Sequence, residues 1–382
     1  MYSFEILKSV DPQIWNNNLK RSPYSTFFQT FEYINSQCAM GNHYPIFINI
    51  FDENKDVKGQ LGFVIIQSIV TATSSRLMSN TFSLFSKLGS RAVWAGGPVI
   101  HTADKMQRLE ILRTIIKALE VVSKNNDIVL IDGYTPHQDF LIDEDYKNEF
   151  KISDYQVQNF FTFATETNKS LEQIWDGVHE SAKRDVKRAQ KRNITVKELT
   201  DFSELDDYFM LSNKWAKTKG MDTQIPPRYK KEYWKCIESG IEKIFLAYED
   251  GELVTSHRLG CFNNIAFSHK ITNSYSRPTS LGGPLLTWHA IEWAKKSGMR
   301  VFDFSGGESP PTNAVNDKKY VEQWNSLLTY KRKWGGQEFP YYHLLKIRKK
   351  INYKLFRILS KTDWVFRDYK KKQYKRPTTV KN

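Results

Sequence analysis

The sequence predicts an α/β chain made of two similar units, each a mixed sheet crossed by a long helix. Two stretches carry that reading. Arg91-Ala92-Val93-Trp94-Ala95-Gly96-Gly97-Pro98 leads through a long amphipathic segment to Ile128-Val129-Leu130-Ile131-Asp132-Gly133. Arg277-Pro278-Thr279-Ser280-Leu281-Gly282-Gly283-Pro284 leads through a second to Val301-Phe302-Asp303-Phe304-Ser305-Gly306-Gly307. A Gly-Gly-Pro turn, a crossover helix and an apolar strand ending in Asp in each half read as diverged copies of one β–α–β unit. Size agrees, since 382 residues that are 40% hydrophobic and 14% aromatic exceed the usual single domain.

In chain order, Tyr2 to Leu7 reads as a strand, and Asp11-Pro12 opens a helix with Asp as cap and Pro at the first helical position. His43 to Ile50 and Lys58 to Gln67 flank a polar turn and make a hairpin. The segment 103–124 has apolar residues at 106, 109, 112, 116, 119 and 122, one face of a 3.6-residue helix. The unalternated run Ile128 to Ile131 is its buried partner strand. Val157 to Thr165 is a further strand. One helix is expected from Leu171 to Lys191, with Leu171, Trp175, Val178, Ala182, Val186 and Ala189 on its apolar side. Two helices, 201–218 and 228–239, precede three strands, Ile244 to Tyr248, Leu253 to Phe262 and Ile265 to Thr272. The turn dipeptides Asp250-Gly251 and Asn263-Asn264 make these an antiparallel meander.

The net charge of +14 is concentrated at the end of the chain. Residues 344–382 hold 14 Lys/Arg against two Asp, so that segment carries +12 and the rest of the chain +2. Basicity is therefore a property of the tail and does not by itself indicate a nucleic-acid enzyme. In the tail, Leu344, Ile347, Ile351, Leu355, Ile358 and Leu359 form an apolar stripe within a basic helix. Three fates stand open for it: docking on the first domain, lying on an anionic membrane leaflet, or binding tRNA. No run of about 18 apolar residues and no signal-peptide pattern is present, so a cytoplasmic protein is expected, or one peripheral at the inner face of the membrane. Cys38, Cys236 and Cys261 are isolated and read as buried free thiols, with no metal site.

Candidate chemistry lies in the second half. Asp303, at the carboxyl end of its strand before Ser-Gly-Gly, is the first carboxylate to consider as a proton acceptor, and Glu308 the second. Asp303 also suits the role of a cap on the following turn. His257 and His269 fall on neighbouring strands, where half-buried sheet positions are the simpler reading. Arg184 and Arg188, one helical turn apart among six cations, have the spacing to share a pyrophosphate. No Ser-His-Asp or Cys-His spacing argues for a covalent intermediate, so direct transfer is preferred.

An antiparallel meander, a glycine turn opening a helix, and then a strand resemble the core of GNAT acyltransferases. Residues 277–282 resemble the R/Q-x-x-G-x-G/A loop whose amides hold a donor pyrophosphate, with Ser280 in place of the first Gly. Several motifs occur in order along the chain: Ser25-Thr26-Phe27-Phe28-Gln29-Thr30, Trp94-Ala95-Gly96-Gly97-Pro98, Ser170 to Trp175 with Ala182 to Ala189, Phe302 to Gly307, and Tyr330-Lys331-Arg332-Lys333-Trp334-Gly335-Gly336. Together they resemble the Fem-like peptidoglycan-bridge aminoacyltransferases and their tandem-GNAT relatives over roughly residues 1–343. The resemblance implies two GNAT-like domains, 1–160 and 161–343, with mixed central sheets, followed by a basic tail, 344–382. It implies an N-acyltransferase whose donor is acyl-CoA or aminoacyl-tRNA, without a metal. The implied acceptor is a primary amine of a cell-envelope or surface-glycan precursor, small or lipid-linked. Arg277, Ser280, Gly282 and Gly283 are then donor-binding, and Lys331 or Lys333 matches the Lys that binds acceptor phosphate. Two alternatives stand beside it: a CoA-dependent acetyltransferase acting on an amino sugar nucleotide, and an inert basic scaffold that binds RNA or membrane. The segment 201–240, interrupted by Pro226-Pro227, is too short for the helical hairpin that some bridge-forming members insert.

Overall fold

The computed structural model describes residues 2–41, 43–67, 89–218, 225–274, 281–308 and 328–359. The chain divides into two compact units. Unit 1 is built on Met1–Asn159, Pro226–Tyr233 and Tyr341–Lys375, and unit 2 on Phe160–Ile225 and Trp234–Pro340.

Unit 1 begins with β1 (Ser3–Leu7) and α1 (Pro12–Leu19), where Asp11 accepts the Ile14 amide at 2.9 Å and Pro12 starts the helix. A single 3-10 turn, Phe27–Gln29, precedes α2 (Phe31–Cys38). The expected hairpin follows as β2 (His43–Phe51) and β3 (Val57–Ile66), then β4 (Arg91–Trp94), β5 (Val99–Ile100), α3 (Lys105–Asn125), β6 (Leu130–Tyr134) and α4 (Glu144–Ile152). The sheet order is β1-β2-β3-β4-β6, with β5 on β3. β4 and β6 are parallel, as a crossover through α3 requires. Leu109, Leu112, Ile116, Leu119 and Val122 of α3 are buried against Ile48, Leu61, Phe63 and Ile131, whereas Met106, in the first turn, is 63% exposed.

Unit 2 carries β7 (Gln156–Glu166), α5 (Leu171–Asp176), α6 (Glu180–Lys191), β8 (Thr195–Glu198), α7 (Glu204–Thr218), the end of α8 (Pro227–Glu238), whose residues to Tyr233 belong to unit 1, β9 (Glu242–Glu249), β10 (Glu252–Phe262), β11 (Ile265–Asn273), α9 (Gly282–Lys296) and β12 (Val301–Glu308). Its sheet order is β7-β12-β11-β10-β9-β8. The meander turns behave as read. Asp250, Gly251, Asn263 and Asn264 all have positive φ, the conformation that tight hairpin turns need. Val186, Phe245, Leu259, Leu286, Ile291 and Phe302 form the core around α9. The chain then passes through β13 (Gln337–Ile347), whose residues 343–347 pair antiparallel with β6, and into α10 (Lys350–Leu359). No helix among the described residues is long and apolar enough to cross a membrane.

Three expectations need correction. The helix expected over 171–191 is two helices. Ser170 caps α5 with Gln173 in a reciprocal box, and the His179 ring accepts the Ser181 amide at 3.1 Å to start α6, so the chain turns at 177–179. The tail stripe is not one helix, because Leu344 and Ile347 belong to β13, where Leu344 is 1% exposed in the unit 1 core. The repeated Gly-Gly-Pro letters also serve different structures. In unit 2 Gly282 and Gly283 are the first helical residues of α9, whereas in unit 1 Gly96 takes φ +65° in a turn that leads into β5 and only later into α3. What repeats is the parallel β–helix–β crossover, β4-α3-β6 and β11-α9-β12.

Candidate active site

The parallel pair of unit 2 separates. β11 and β12 pair only at Ile265↔Val301, Ala266↔Phe302 and Phe267↔Asp303, although β11 continues to Asn273 and β12 to Glu308. Past Asp303, β12 shifts register against β7 and Ser305 takes φ +69°. A fork therefore opens along the sheet just where Asp303 stands. In unit 1 the corresponding seam is closed. The Gly97 amide donates to the Tyr134 carbonyl at 3.0 Å and the Trp94 indole to the Gly97 carbonyl at 2.9 Å. A Cβ on Gly133 would fall 2.1 Å from the Trp94 ring, so glycine there is what lets the indole lie across the strands.

The helices that head the two seams differ in the same sense. Asp104 caps α3 and accepts the Gln107 amide at 2.8 Å. The N-cap of α9 is Leu281, which offers no side-chain acceptor, and the first turn holds no acidic residue. Its leading amides are thus the kind that bind an anion. Gly282 lies against β10, where a Cβ would meet Thr255 Oγ1 at 2.3 Å. At Gly283 the nearest atom is 3.7 Å away, an ordinary contact. Arg277 and Ser280 of the expected donor loop lie outside the described residues.

Asp303 is completely buried. Its Oδ1 accepts the Thr162 hydroxyl at 2.5 Å and the Ser305 amide at 2.7 Å, which holds the bulge and matches the turn-cap role weighed from the sequence. Lys331, 8% exposed, donates to the carbonyls of Ser305 at 2.7 Å and Gly306 at 2.6 Å. Burial pulls its pKa down to about 8, against the opposing pull of the Asp303 charge. Asp303 and Lys331 are therefore brought together, on one arm of the fork. Glu308 ends β12 opposite Phe160.

The strap that carries Lys331 is pinned from three sides. The Lys333 carbonyl accepts the His179 amide at 2.7 Å. The Tyr330 and Thr287 hydroxyls are 2.9 Å apart. Gly335, at φ +77°, passes so close to Gly177 that a Cβ would lie 2.9 Å from its carbonyl oxygen. Arg184 and Arg188 are placed elsewhere. With Glu180, Lys183, Lys187 and Lys191 they line a shallow groove of about 240 Å³ on α6, to which neither Asp303 nor Lys331 contributes. Glu180 takes Lys183 at 2.8 Å and Asp185 takes Arg188 at 3.6 Å, so the cationic row is partly compensated.

The histidines read as sheet residues. His257 is completely buried, bonds Ser268 Oγ at 2.8 Å, and is held neutral by burial with its pKa near 4. Sequence reasoning passed over a lysine on the adjoining strand. Lys270, on β11 beyond the last paired rung, points to α7, where its Nζ donates to Ser212 Oγ at 3.2 Å and lies 4.9 Å from the Trp215 ring centroid. Burial, helped by Arg258 opposite it in the register, brings its pKa to about 8. Arg258 itself is held by both oxygens of Glu242. The available signal was a lysine inside a mostly buried strand, Ile265-Ala266-Phe267-Ser268-His269-Lys270-Ile271.

Residues 179–319 match the family described as an acetyltransferase (GNAT) domain. That match and the forked sheet define the class of this segment: residues 179–319 are a GNAT-type acyltransferase domain. Over about nine-tenths of the chain the fold is similar to that of several solved structures. The crystal structure of FemX superposes with a TM-score of 0.67 at 13% identity, covering 92% of this chain and 99% of that one. L-PGS from Bacillus licheniformis gives 0.55 at 11% identity, covering 94% and 100%. A tandem GNAT protein from the clavulanic acid biosynthesis pathway gives 0.51 at 9%, covering 90% and 98%. No curated protein matches the chain in sequence.

Proposed function

We propose that unit 2 is the catalytic unit and transfers an acyl or aminoacyl group directly from an activated, phosphate-bearing donor to a primary amine. The observation that carries this reading is the fork between β11 and β12 headed by the uncapped α9, set against the closed seam and capped helix of unit 1. An extended donor arm can add to the opened strands as a further strand would, while its phosphates take the amides of α9 at Gly282 and Gly283. The acetyltransferase family match supports acyl-CoA as the donor, with aminoacyl-tRNA the alternative. The acceptor class, an amine of a cell-envelope or surface-glycan precursor, rests on the Fem-like resemblance.

The amine attacks the acyl carbon, the C–N bond forms, the thiol or ribose oxygen leaves, and one proton must be taken from nitrogen. Asp303, enclosed by its own donors, acts in positioning: it holds the bulge that Lys331 braces. Lys270, on the part of β11 beyond its pairing with β12 and lowered in basicity to about 8, is the group assigned to accept that proton. Lys331 keeps a hydrogen for an acceptor phosphate, and Arg184 with Arg188 offers a second phosphate contact on α6.

The test is donor binding by calorimetry with acetyl-CoA and, separately, with aminoacyl-tRNA. One of the two should bind the native chain. Gly283→Asp should weaken it at least about tenfold by placing a carboxylate among the phosphate-binding amides, with the melting temperature kept, because that position has room. Binding of neither donor, or equal binding by Gly283→Asp, removes the assignment.

A further inference from the structure

Among the described residues of the basic segment, some are held by unit 1 and others are turned outward. α10 is fastened at Phe356, which is 5% exposed and whose ring sits 2.5 Å from where a Cβ on Gly89 would be. Ahead of the helix, Lys346 bonds Glu120 at 2.7 Å and Arg348 reaches the same carboxylate at 3.4 Å. On a 3.6-residue helix, Ile351 and Leu355 fall one turn apart on one face. Phe356 lies to one side of that face and Lys350 with Lys354 to the other. The body takes only the Phe356 side. Ile351 is 76% exposed and Leu355 44% exposed, and Lys350 and Lys354 are exposed beside them. Of the stripe read from the sequence, Leu344 is buried in unit 1, whereas Ile351 and Leu355 are turned outward.

An exposed aliphatic stripe bordered by a row of lysines is the pattern of a helix that lies in a membrane interface. The sequence continues in kind, with Trp364-Val365-Phe366 and then Arg367, Lys370, Lys371, Lys372, Lys375 and Arg376. We propose that α10 is the start of an interfacial anchor that seats unit 1 on an anionic bilayer, with Ile351 and Leu355 entering the acyl boundary and Lys350 and Lys354 meeting lipid phosphates. Charge complementarity selects this occupant. The 344–382 segment holds +12 of the chain's +14, and anionic headgroups attract juxtamembrane lysines. A nucleic acid would use the cations and leave the aliphatic stripe without a role.

The test is flotation of the full-length protein with phosphatidylcholine vesicles, with and without phosphatidylglycerol, over a salt series. The native chain should float with the anionic vesicles and retain part of its binding at high salt. The double variant Ile351→Ser/Leu355→Ser should bind at least about tenfold more weakly at every salt concentration, the loss expected from two aliphatic side chains. Lys350→Gln/Lys354→Gln should lose binding chiefly at low salt, where charges are least screened. All four positions are exposed, so melting temperatures should stay with the native value. Binding by the aliphatic variant equal to native, absence of vesicle binding by the native chain, or capture by tRNA that ignores the aliphatic pair would each overturn the proposal. The assay uses no donor or acceptor, so its failure leaves the acyl-transfer reading untouched.

Discussion

Lys331 and Lys270 are two lysines whose basicity burial has lowered, with different consequences. The Lys331 ammonium is enclosed among carbonyls and beside Asp303, and its pKa of about 8 lies below the ordinary lysine value of 10.5. Between those pH values the unfolded chain binds a proton that the folded chain has released, so stability rises with pH across that window. Lys331→Met should flatten this rise, measured as urea unfolding free energy at pH values from 7 to about 10.5. An unchanged slope would show that Lys331 titrates like an exposed lysine. Lys270 affects rate. If it accepts the amine's proton, transfer to an alkylamine climbs steeply up to about pH 8 and more gently from there to the amine's own titration at about pH 10. Lys270→Met should lose that limb and slow the reaction by about a hundredfold or more, while transfer to hydroxylamine, already neutral at pH 7, is spared. Equal loss with both acceptors would mark Lys270 as structural. Asp303 and Lys331 were legible because a carboxylate after a strand and a lysine before Gly-Gly are visible as letters. Lys270 was not, because its importance comes from where β11 parts from β12, a fact of pairing that no local pattern records.

At the level of elements, local signals settled most of the fold. Asp11-Pro12, Asp250-Gly251, Asn263-Asn264 and the periodicity of α3 each marked what the structure contains. The failures came where two structures share one spacing. Ile174, Val178, Ala182, Val186 and Ala189 are all buried and lie in helical register across the turn at 177–179, so the break leaves the apolar pattern intact. The Ser170–Gln173 box gives α5 its own start, and since α5 is only six residues long its cap is a large part of its stability. Ser170→Ala should cost about 1 kcal/mol by chemical denaturation, with Ser170→Asp close to native. A negligible effect would mean that packing against the Trp288 ring, 4.4 Å from Trp175, holds α5 unaided. The Gly-Gly-Pro repeat erred differently. It pointed to a true topological repeat, but the glycines meet separate needs, a positive φ at Gly96 and a close helix-to-strand contact at Gly282.

For the molecule as a whole, the α/β class and the repeated crossover were readable from the sequence, and the path of the chain was not. Residues 344–347 carry lysine and leucine in a spacing that suits a basic amphipathic helix, yet they complete a strand, because Leu344 opposite Gly133 fills a place in the unit 1 core. That late strand bears on how the protein is made. When the first 160 residues leave the ribosome, β6 has no neighbour on one side, and the strand that covers it will be synthesised only after all of unit 2. The N-terminal unit must wait with an open edge through the translation of some 180 further residues. Unit 2, by contrast, can close as soon as its own strands appear. The late strand is therefore a checkpoint: a message truncated before Tyr341 yields a protein whose second unit can fold while its first keeps an exposed strand that invites aggregation and disposal.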